Sequence, residues 1–482
     1  MSDLIINQYN AVYNQIKISD MGIAQELSDY FTFKVPGYQF MPAFKNKMWD
    51  GNIRLYNTMT QLLYAGLNDY VEHFARNRNY SLEYTYDNSD QNFSLKEARD
   101  FLLKQKFTFP PRDYQIEAFT HAIRKGRGVL LSPTASGKSF IIYMILRYYL
   151  KPTLIIVPTV TLVHQMYSDF ESYGFKSEKY IHKIYSGQDK VTDKPIVLTT
   201  WQSIYKLRKD WFKQFDVVIG DEAHTFKATS LTSIMTKLED CYYRFGFTGT
   251  IEDTQTHRLA LEGMFGPVHK VITTDELMQQ GHVANLKIKI ITLSYPDEVK
   301  KVINKLKYHD EVDYIVTNEK RNKFIKNLSL SLEGNTLVLF QFVEKHGKIL
   351  YNMIKDEAGD RKVFFIYGGV DGKDRDEIRH IVEKEKNAII VASYQTLSTG
   401  VNIRNLHNYI AASPSKSKIR VLQSIGRVLR KSDTKDSAVL YDISDDLSWK
   451  SNMNTTMKHL VERIKIYDSE KFDYKFYKVG IK

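Results

Sequence analysis

At 482 residues the chain is long enough for about three domains with separate cores, and 43% hydrophobic with 13% aromatic residues excludes an extended disordered polymer. The net charge of +12 and the pI near 9.2 favour a polyanionic partner; residues 1–100 carry nine basic and twelve acidic side chains, so the basic surplus lies later in the chain. Cys241 is the single cysteine, which excludes an internal disulfide and a cysteine-clustered zinc site, and neither a leader pattern nor a membrane-length apolar run is found, so a soluble cytoplasmic protein is expected.

The first element of note is an aromatic stretch from Phe33 to Tyr56, which holds Phe33, Tyr38, Phe40, Phe44, Trp49 and Tyr56 with Lys34, Lys45, Lys47 and Arg54 against Asp50 alone. A small N-terminal domain needs most of those rings for its core. The basic residues, with one or two exposed rings, are then the candidates for contact with DNA. Next, Ser94-Leu-Lys-Glu97 reads as a capping box opening a helix. A domain boundary is placed near residue 95, and a chain beginning there is expected to keep whatever site the later residues build.

Four short runs follow, Gly128–Leu131, Thr153–Val157, Ile196–Thr199 and Val217–Ile219, apolar on both faces and separated by helix-length segments. This is the pattern of a parallel sheet covered by helices. The rhythm pauses from Thr254 to His282 and resumes with Asn335–Phe340, Lys362–Ile366, Ala388–Ala392 and Ala438–Tyr441. The fold class expected is α/β, with two parallel sheets in tandem behind a small α+β domain. Met453, Met457, Leu460, Val461 and Ile464 recur at helical spacing, predicting a terminal helix docked on its neighbour. The boundaries read 1–95, 96–275, 276–450 and 451–482.

Between the first strand and its helix lies Leu131-Ser-Pro-Thr-Ala-Ser-Gly-Lys-Ser-Phe140. Strand, turn and buried helix are the context of a phosphate loop, in which Thr134, Ala135, Ser136 and Gly137 cradle ATP, Lys138 reaches the terminal phosphates and the Ser139 hydroxyl holds Mg²⁺. Standing alone, the same segment is also an ordinary turn with a lysine. It gains force from Asp221-Glu-Ala-His224 just past a buried strand, where Asp221 can reach Mg²⁺ and Glu222 can activate a water. In the second sheet's half, Gln423-Ser-Ile-Gly-Arg-Val-Leu-Arg430 puts Arg427 and Arg430 on one helical face, either a solvated face or two guanidinium groups for a γ-phosphate.

From Arg112-Asp-Tyr-Gln115 through the loop, Val157-Pro-Thr159, Asp221–His224, Thr248-Gly-Thr250 and Thr399-Gly-Val401 to Gln423–Arg430, the chain resembles a superfamily 2 helicase. That superfamily does not require a glycine where Ser132 stands, while Ala135 and Ser139 depart from its consensus. The resemblance implies two RecA-like lobes, ATP and Mg²⁺ as cofactors, and adenine recognition by Arg112 and Gln115. It implies a catalytic role for Gln423, coupling of hydrolysis to movement by His224, Thr248, Thr250 and Gly400, and a grip on one strand's backbone by Thr159, Thr200, Gln202, Ser203 and Thr396. Each such hydroxyl taken singly is also a common cap.

The segment Phe33–Tyr56 resembles the small domain ahead of the motor in phage recombination and repair helicases acting on branched DNA. This implies branch migration of four-way junctions, fork regression and R-loop unwinding with 3′ to 5′ polarity. It also implies single strands and forks among the substrates, no membrane partner, a monomer, and recombination or single-strand-binding proteins as partners. An RNA helicase, a restriction-type motor subunit and an ATP-switched nucleic-acid clamp without translocation remain as alternatives.

Overall fold

The computed structural model describes every residue except Met1, Lys227, Ala228, Glu252, Asp253, Asp371, 399–402, Arg404, Lys416, 430–434 and Lys482, with backbone only at 256, 372, 373, 375, 376, 397, 398, 418, 419, 423 and 428. Among the described residues no helix is long and apolar enough to cross a membrane. The chain divides into two compact units, residues 1–132 with 137–271, and residues 133–136 with 272–482.

The first unit holds a seven-stranded sheet in which every adjacent pair is parallel. Its order is Val268–Lys270, Arg127–Leu131, Tyr243–Thr248, Val217–Asp221, Thr153–Val157, Ile196–Thr200 and Ile181–Ile184. All four strands expected from the sequence are present. Tyr243–Thr248 was not anticipated because Arg244 and Gly246 interrupt its apolar run. Val268–Lys270, inside the expected pause, spans only three residues. Apolar clusters cover both faces, one built on Phe119, Ile141 and Phe170, the other on Phe212, Ile234 and Phe265.

The N-terminal residues form a mixed four-stranded sheet, ordered Leu62–Tyr64, Tyr13–Ile18, Leu4–Gln8 and Leu82–Tyr84, and a separate ribbon of Thr32–Lys34 with Asn52–Arg54. This region shares its core with the part of the unit that carries the seven-stranded sheet. Leu259, on the helix Gln255–Phe265, belongs to the cluster of Leu27, Phe31, Leu63 and Phe74. The Ala11 carbonyl accepts hydrogen bonds from the guanidinium groups of Arg127 (3.4 Å) and Arg244 (3.3 Å), and the Ala11 N–H donates to the Glu239 carbonyl at 2.8 Å. Arg244 is fully buried, and burial pushes its guanidinium down to about 10. The Tyr70 hydroxyl donates to the Glu262 carboxylate (2.6 Å), which also pairs with Arg258 (3.1 Å). The predicted capping box is present, with Ser94 and Glu97 bonded reciprocally at the start of the helix Leu95–Lys104. A chain starting near residue 95 would lack the Tyr70 contact to Glu262, the Ala11 contact to Arg244 and the apolar neighbours of Leu259, while Glu262 would keep Arg258 and Arg244 would keep the Met235 carbonyl at 2.6 Å.

The second unit repeats the parallel plan with seven strands ordered Val363–Ile366, Ile389–Ser393, Thr336–Phe340, Asn408–Ala411, Ser437–Asp446, Asn285–Ser294 and Asp473–Gly480. The segment expected as a helical extension contains the helix Thr455–Ser469 and then the last of these strands. Arg463 fixes that helix to the sheet through a buried ion pair with Asp442 at 2.8 Å, and Arg321 makes a second buried pair with Asp445 at 2.8 Å.

The joint between the N-terminal region and the motor is tight at Gly66, where an added Cβ would lie 2.0 Å from the Glu262 carbonyl oxygen and 2.8 Å from that of Gly263. Backbone cannot move aside as a flexible side chain can. Gly66→Ala should lower the stability of the first unit by about 1–3 kcal/mol, the usual cost of overpacking, read as a drop in its thermal unfolding midpoint.

Candidate functional site

Parallel sheets place ligands beyond the carboxyl ends of their strands, and the candidate residues of the first unit gather there. The strand Arg127–Leu131 runs into the loop, and the helix Lys138–Tyr149 leaves it. Ser132 is fully buried with its N–H bonded to the Thr248 carbonyl at 2.8 Å, so the position is part of the strand ladder. Ala135 has φ +70 and Gly137 φ +79. Glycine takes this left-handed conformation freely, whereas alanine pays about 1–2 kcal/mol. Ala135 therefore keeps the loop's shape at a cost in strain. The Ser136 hydroxyl donates to the Pro133 carbonyl at 2.7 Å, and Lys138 Nζ rests 3.4 Å from the Ser132 carbonyl.

Gln115 packs against the loop, since a Cβ on residue 137 would stand 2.5 Å from its Nε2. Its Oε1 accepts the Arg112 N–H at 3.0 Å, and the Arg112 guanidinium donates to the Tyr114 hydroxyl at 2.9 Å. The Ser139 hydroxyl lies 2.8 Å from the Tyr173 hydroxyl.

Opposite the loop, the fully buried strand Val217–Asp221 ends in two successive carboxylates. Glu222 has φ +50, a left-handed conformation in a residue with a side chain, which marks stored strain. Burial, and then the charge of Glu222, push the Asp221 carboxyl up to about 6, while Lys138 pulls it back. His224 Nδ1 lies 2.9 Å from Thr248 Oγ1 and 3.3 Å from the Glu222 carboxylate. The Thr248 hydroxyl donates to the Thr250 carbonyl at 2.8 Å, so toward His224 its oxygen is an acceptor and Nδ1 carries the proton. The acidic pair and the strand Tyr243–Thr248 are thus wired together through one imidazole.

Thr159, Thr200, Gln202 and Ser203 sit at the ends of the adjacent strands Thr153–Val157 and Ile196–Thr200. Thr159 caps the helix Val160–Ser172, Thr200 and Ser203 bond each other at 3.0 Å, and the exposed Gln202 reaches the Pro158 carbonyl at 3.5 Å. In the N-terminal ribbon and the segment joining its two strands, Lys34, Lys45 and Lys47 are exposed, and Arg54 is paired with Asp50, whose carboxyl it holds below its usual range. Phe40 is 73% exposed, Tyr56 is buried, and Trp49 donates its indole N–H to the Asn52 carbonyl at 2.8 Å.

Three family models match the chain: DNA helicase UvsW, N-terminal, over residues 4–85; type III restriction enzyme, res subunit, over 108–253; and helicase conserved C-terminal domain over 319–432. The ATP-dependent DNA helicase UvsW of Enterobacteria phage T4 is 37% identical over 476 residues, which span 93% of this chain and 94% of that protein. The chain belongs to the UvsW family of ATP-dependent DNA helicases. A crystal structure of T4 UvsW aligns over all of both chains with 34% identity and a TM-score of 0.53. More distantly, the DNA 3′-5′ translocase XPB2 of Sulfurisphaera tokodaii is 27% identical, covering 69% of this chain and 81% of that one. Nucleic-acid binding and the use of ATP follow from membership of the UvsW family.

In the second unit of this UvsW-family chain, Thr396 is buried and bonded to Ser393 Oγ at 2.7 Å, just past the strand Ile389–Ser393. Arg427 lies on the helix Lys418–Val428, as does the backbone of Gln423. Gly400 and Arg430 lie outside the described residues. Sequence reasoning passed over Tyr173, 34 residues from its partner Ser139, and Gln341, whose N–H bonds Ser413 Oγ at 3.0 Å at the end of the strand Thr336–Phe340. The strand-end position was the signal for Gln341, and for Tyr173 there was none.

A carboxyl raised to about 6 is costly to keep ionised in the folded protein, and that cost is full at pH 7–8 and fades as the pH falls below 6. In the metal-free protein Asp221→Asn should raise the unfolding midpoint of the first unit at pH 7.5, and the gain should shrink toward pH 5. A thermal unfolding series across that range checks it.

Proposed function

We propose that the first unit binds and hydrolyses Mg·ATP and that the turnover drives migration of branched DNA. The observation that carries the catalytic reading is the buried Asp221 carboxyl, raised by burial and by the charge of the half-buried Glu222 beside it and drawn back by Lys138. The donor set fits the cofactors: the Ser139 hydroxyl and the Asp221 carboxylate are hard oxygen ligands of the kind Mg²⁺ takes, and Thr134, Ala135, Ser136 and Gly137 offer a phosphate cradle ahead of a helix N-terminus. Bound there, Mg²⁺ would supply charge to phosphate oxygens. Lys138 adds a cation for the terminal phosphates, Glu222 accepts a proton from the attacking water, and Arg112 and Gln115 hold the base. His224, Thr248 and Thr250 pass the state of the acidic pair to the next strand. Gln423, Arg427 and Arg430 are the second unit's contribution to turnover, with Gly400 in its coupling segment. In this reading residues 1–95, 96–275, 276–450 and 451–482 are the recognition, ATP-binding, second motor and terminal parts of a monomer working in the host cytoplasm.

The substrates proposed are single strands, forks, four-way junctions and R-loops, with 3′ to 5′ movement and recombination or single-strand-binding proteins as partners. The polarity is supported by the translocase relative, described as 3′-5′. Thr159, Thr200, Gln202, Ser203 and Thr396 grip one strand by its backbone, a contact that reads no sequence. Branch preference is assigned to the N-terminal ribbon, where Lys34, Lys45 and Lys47 are exposed beside Phe40 and the charge of Arg54 is offset by Asp50. Phosphate contacts add affinity in proportion to their number, and an exposed ring can stack where bases are unpaired.

Lys45→Ala/Lys47→Ala in the full chain should lower four-way-junction affinity about tenfold at fixed low salt while leaving single-strand affinity within about twofold. Equilibrium binding of the two DNAs checks the ratio. An unchanged ratio removes the ribbon from recognition.

A further inference from the structure

The metal-site hydroxyl belongs to a serine, and a serine alone does not hold its hydroxyl still. Threonine's second Cβ substituent restricts χ1, whereas serine moves among three staggered positions. A hydroxyl that gives a lone pair to a cation must also send its proton elsewhere, because it carries one proton and two lone pairs. Ser139 meets both needs through one contact, the hydroxyl of Tyr173 at 2.8 Å.

The phenol is fixed from three directions. Its ring stands edge-on to Phe140, with centroids 4.9 Å apart, and lies 5.5 Å from the ring of Tyr143, both on the helix that carries Ser139. Its N–H closes the helix Val160–Ser172 on the Asp169 and Phe170 carbonyls. Gly174, at φ +89, then turns the chain so that the Phe175 N–H also reaches Phe170. A side chain at that φ would be strained, so the turn that sets the phenol is specified by a glycine.

We propose that Tyr173 is a positioning residue for the Ser139 hydroxyl: the phenol oxygen accepts the serine proton, selects the rotamer and leaves the serine lone pairs facing the cation. The inference rests on the assignment of Ser139 as a Mg²⁺ ligand. It explains how a chain with serine at this position fixes its hydroxyl without the methyl group of threonine.

The test is equilibrium binding of a fluorescent ADP analogue to the full chain, titrated with MgCl₂ in the absence of DNA, so that no turnover is read. Tyr173→Phe keeps the ring and removes the oxygen. It should raise the MgCl₂ concentration for half-maximal binding about tenfold, the lower end of what losing a partner of a metal ligand costs. Adding Ser139→Thr to Tyr173→Phe should return the value to within about twofold of wild type, because the methyl group restores the restriction on χ1. Ser139→Ala serves as the control. If Ser139→Ala leaves the Mg²⁺ dependence unchanged, Ser139 is not a ligand and the underlying assignment falls. If Ser139→Ala shifts it and Tyr173→Phe does not, the assignment stands and the positioning role is overturned. A Tyr173→Phe shift that Ser139→Thr fails to rescue, accompanied by a lower unfolding midpoint, overturns it in favour of ring packing.

Discussion

Asp221 is held buried at the end of a buried strand with the half-buried Glu222 next to it, so a carboxyl taken out of water also meets a like charge, and the surrounding structure is arranged to hold it there. Lys138 draws Asp221 toward its ionised form from across the phosphate loop, and the Glu222 N–H caps the Asp221 carboxylate at 2.9 Å. Glu222 itself is kept in a left-handed conformation. None of these contacts returns the Asp221 carboxyl to its usual range, so the site carries a local cost that the covered sheet around it bears.

The same repulsion is coupled to the rest of the unit by His224. Its Nδ1 proton faces both the Glu222 carboxylate and Thr248, and Thr248 ends the neighbouring strand. That strand also carries Arg244, whose buried guanidinium holds the Ala11 carbonyl of the N-terminal region. The N-terminal region is therefore built into the unit that carries Lys138 and the acidic pair, by Leu259 in its core and Glu262 under Tyr70.

Much of the candidate site was legible in the sequence because it is local. The phosphate loop, the acidic pair and the Ser94–Glu97 capping box each declare themselves within about ten residues, and strands buried on both faces read as plain apolar runs. Three things were not legible, each for a physical reason. Strands such as Tyr243–Thr248 and Asn285–Ser294 mix charged residues or glycine into the apolar run, because Arg244 serves a distant carbonyl, Lys287 is exposed and Lys289 lies over the Tyr441 ring. The attachment of residues 1–95 depends on contacts across some two hundred positions, as between Tyr70 and Glu262, for which no periodicity exists. Tyr173 looks like one more core aromatic until the fold brings its oxygen to Ser139.

The central claim is that ATP turnover at the Asp221–Glu222 pair drives movement of branched DNA. Its most direct test measures ATP hydrolysis and strand exchange in parallel on a mobile four-way junction, with the wild-type chain and Glu222→Gln. The junction should stimulate hydrolysis in the wild type, exchange should require ATP, and Glu222→Gln should bind nucleotide yet lose both activities by about a hundredfold or more. Strand exchange by Glu222→Gln at the wild-type rate, or hydrolysis indifferent to DNA, would contradict it.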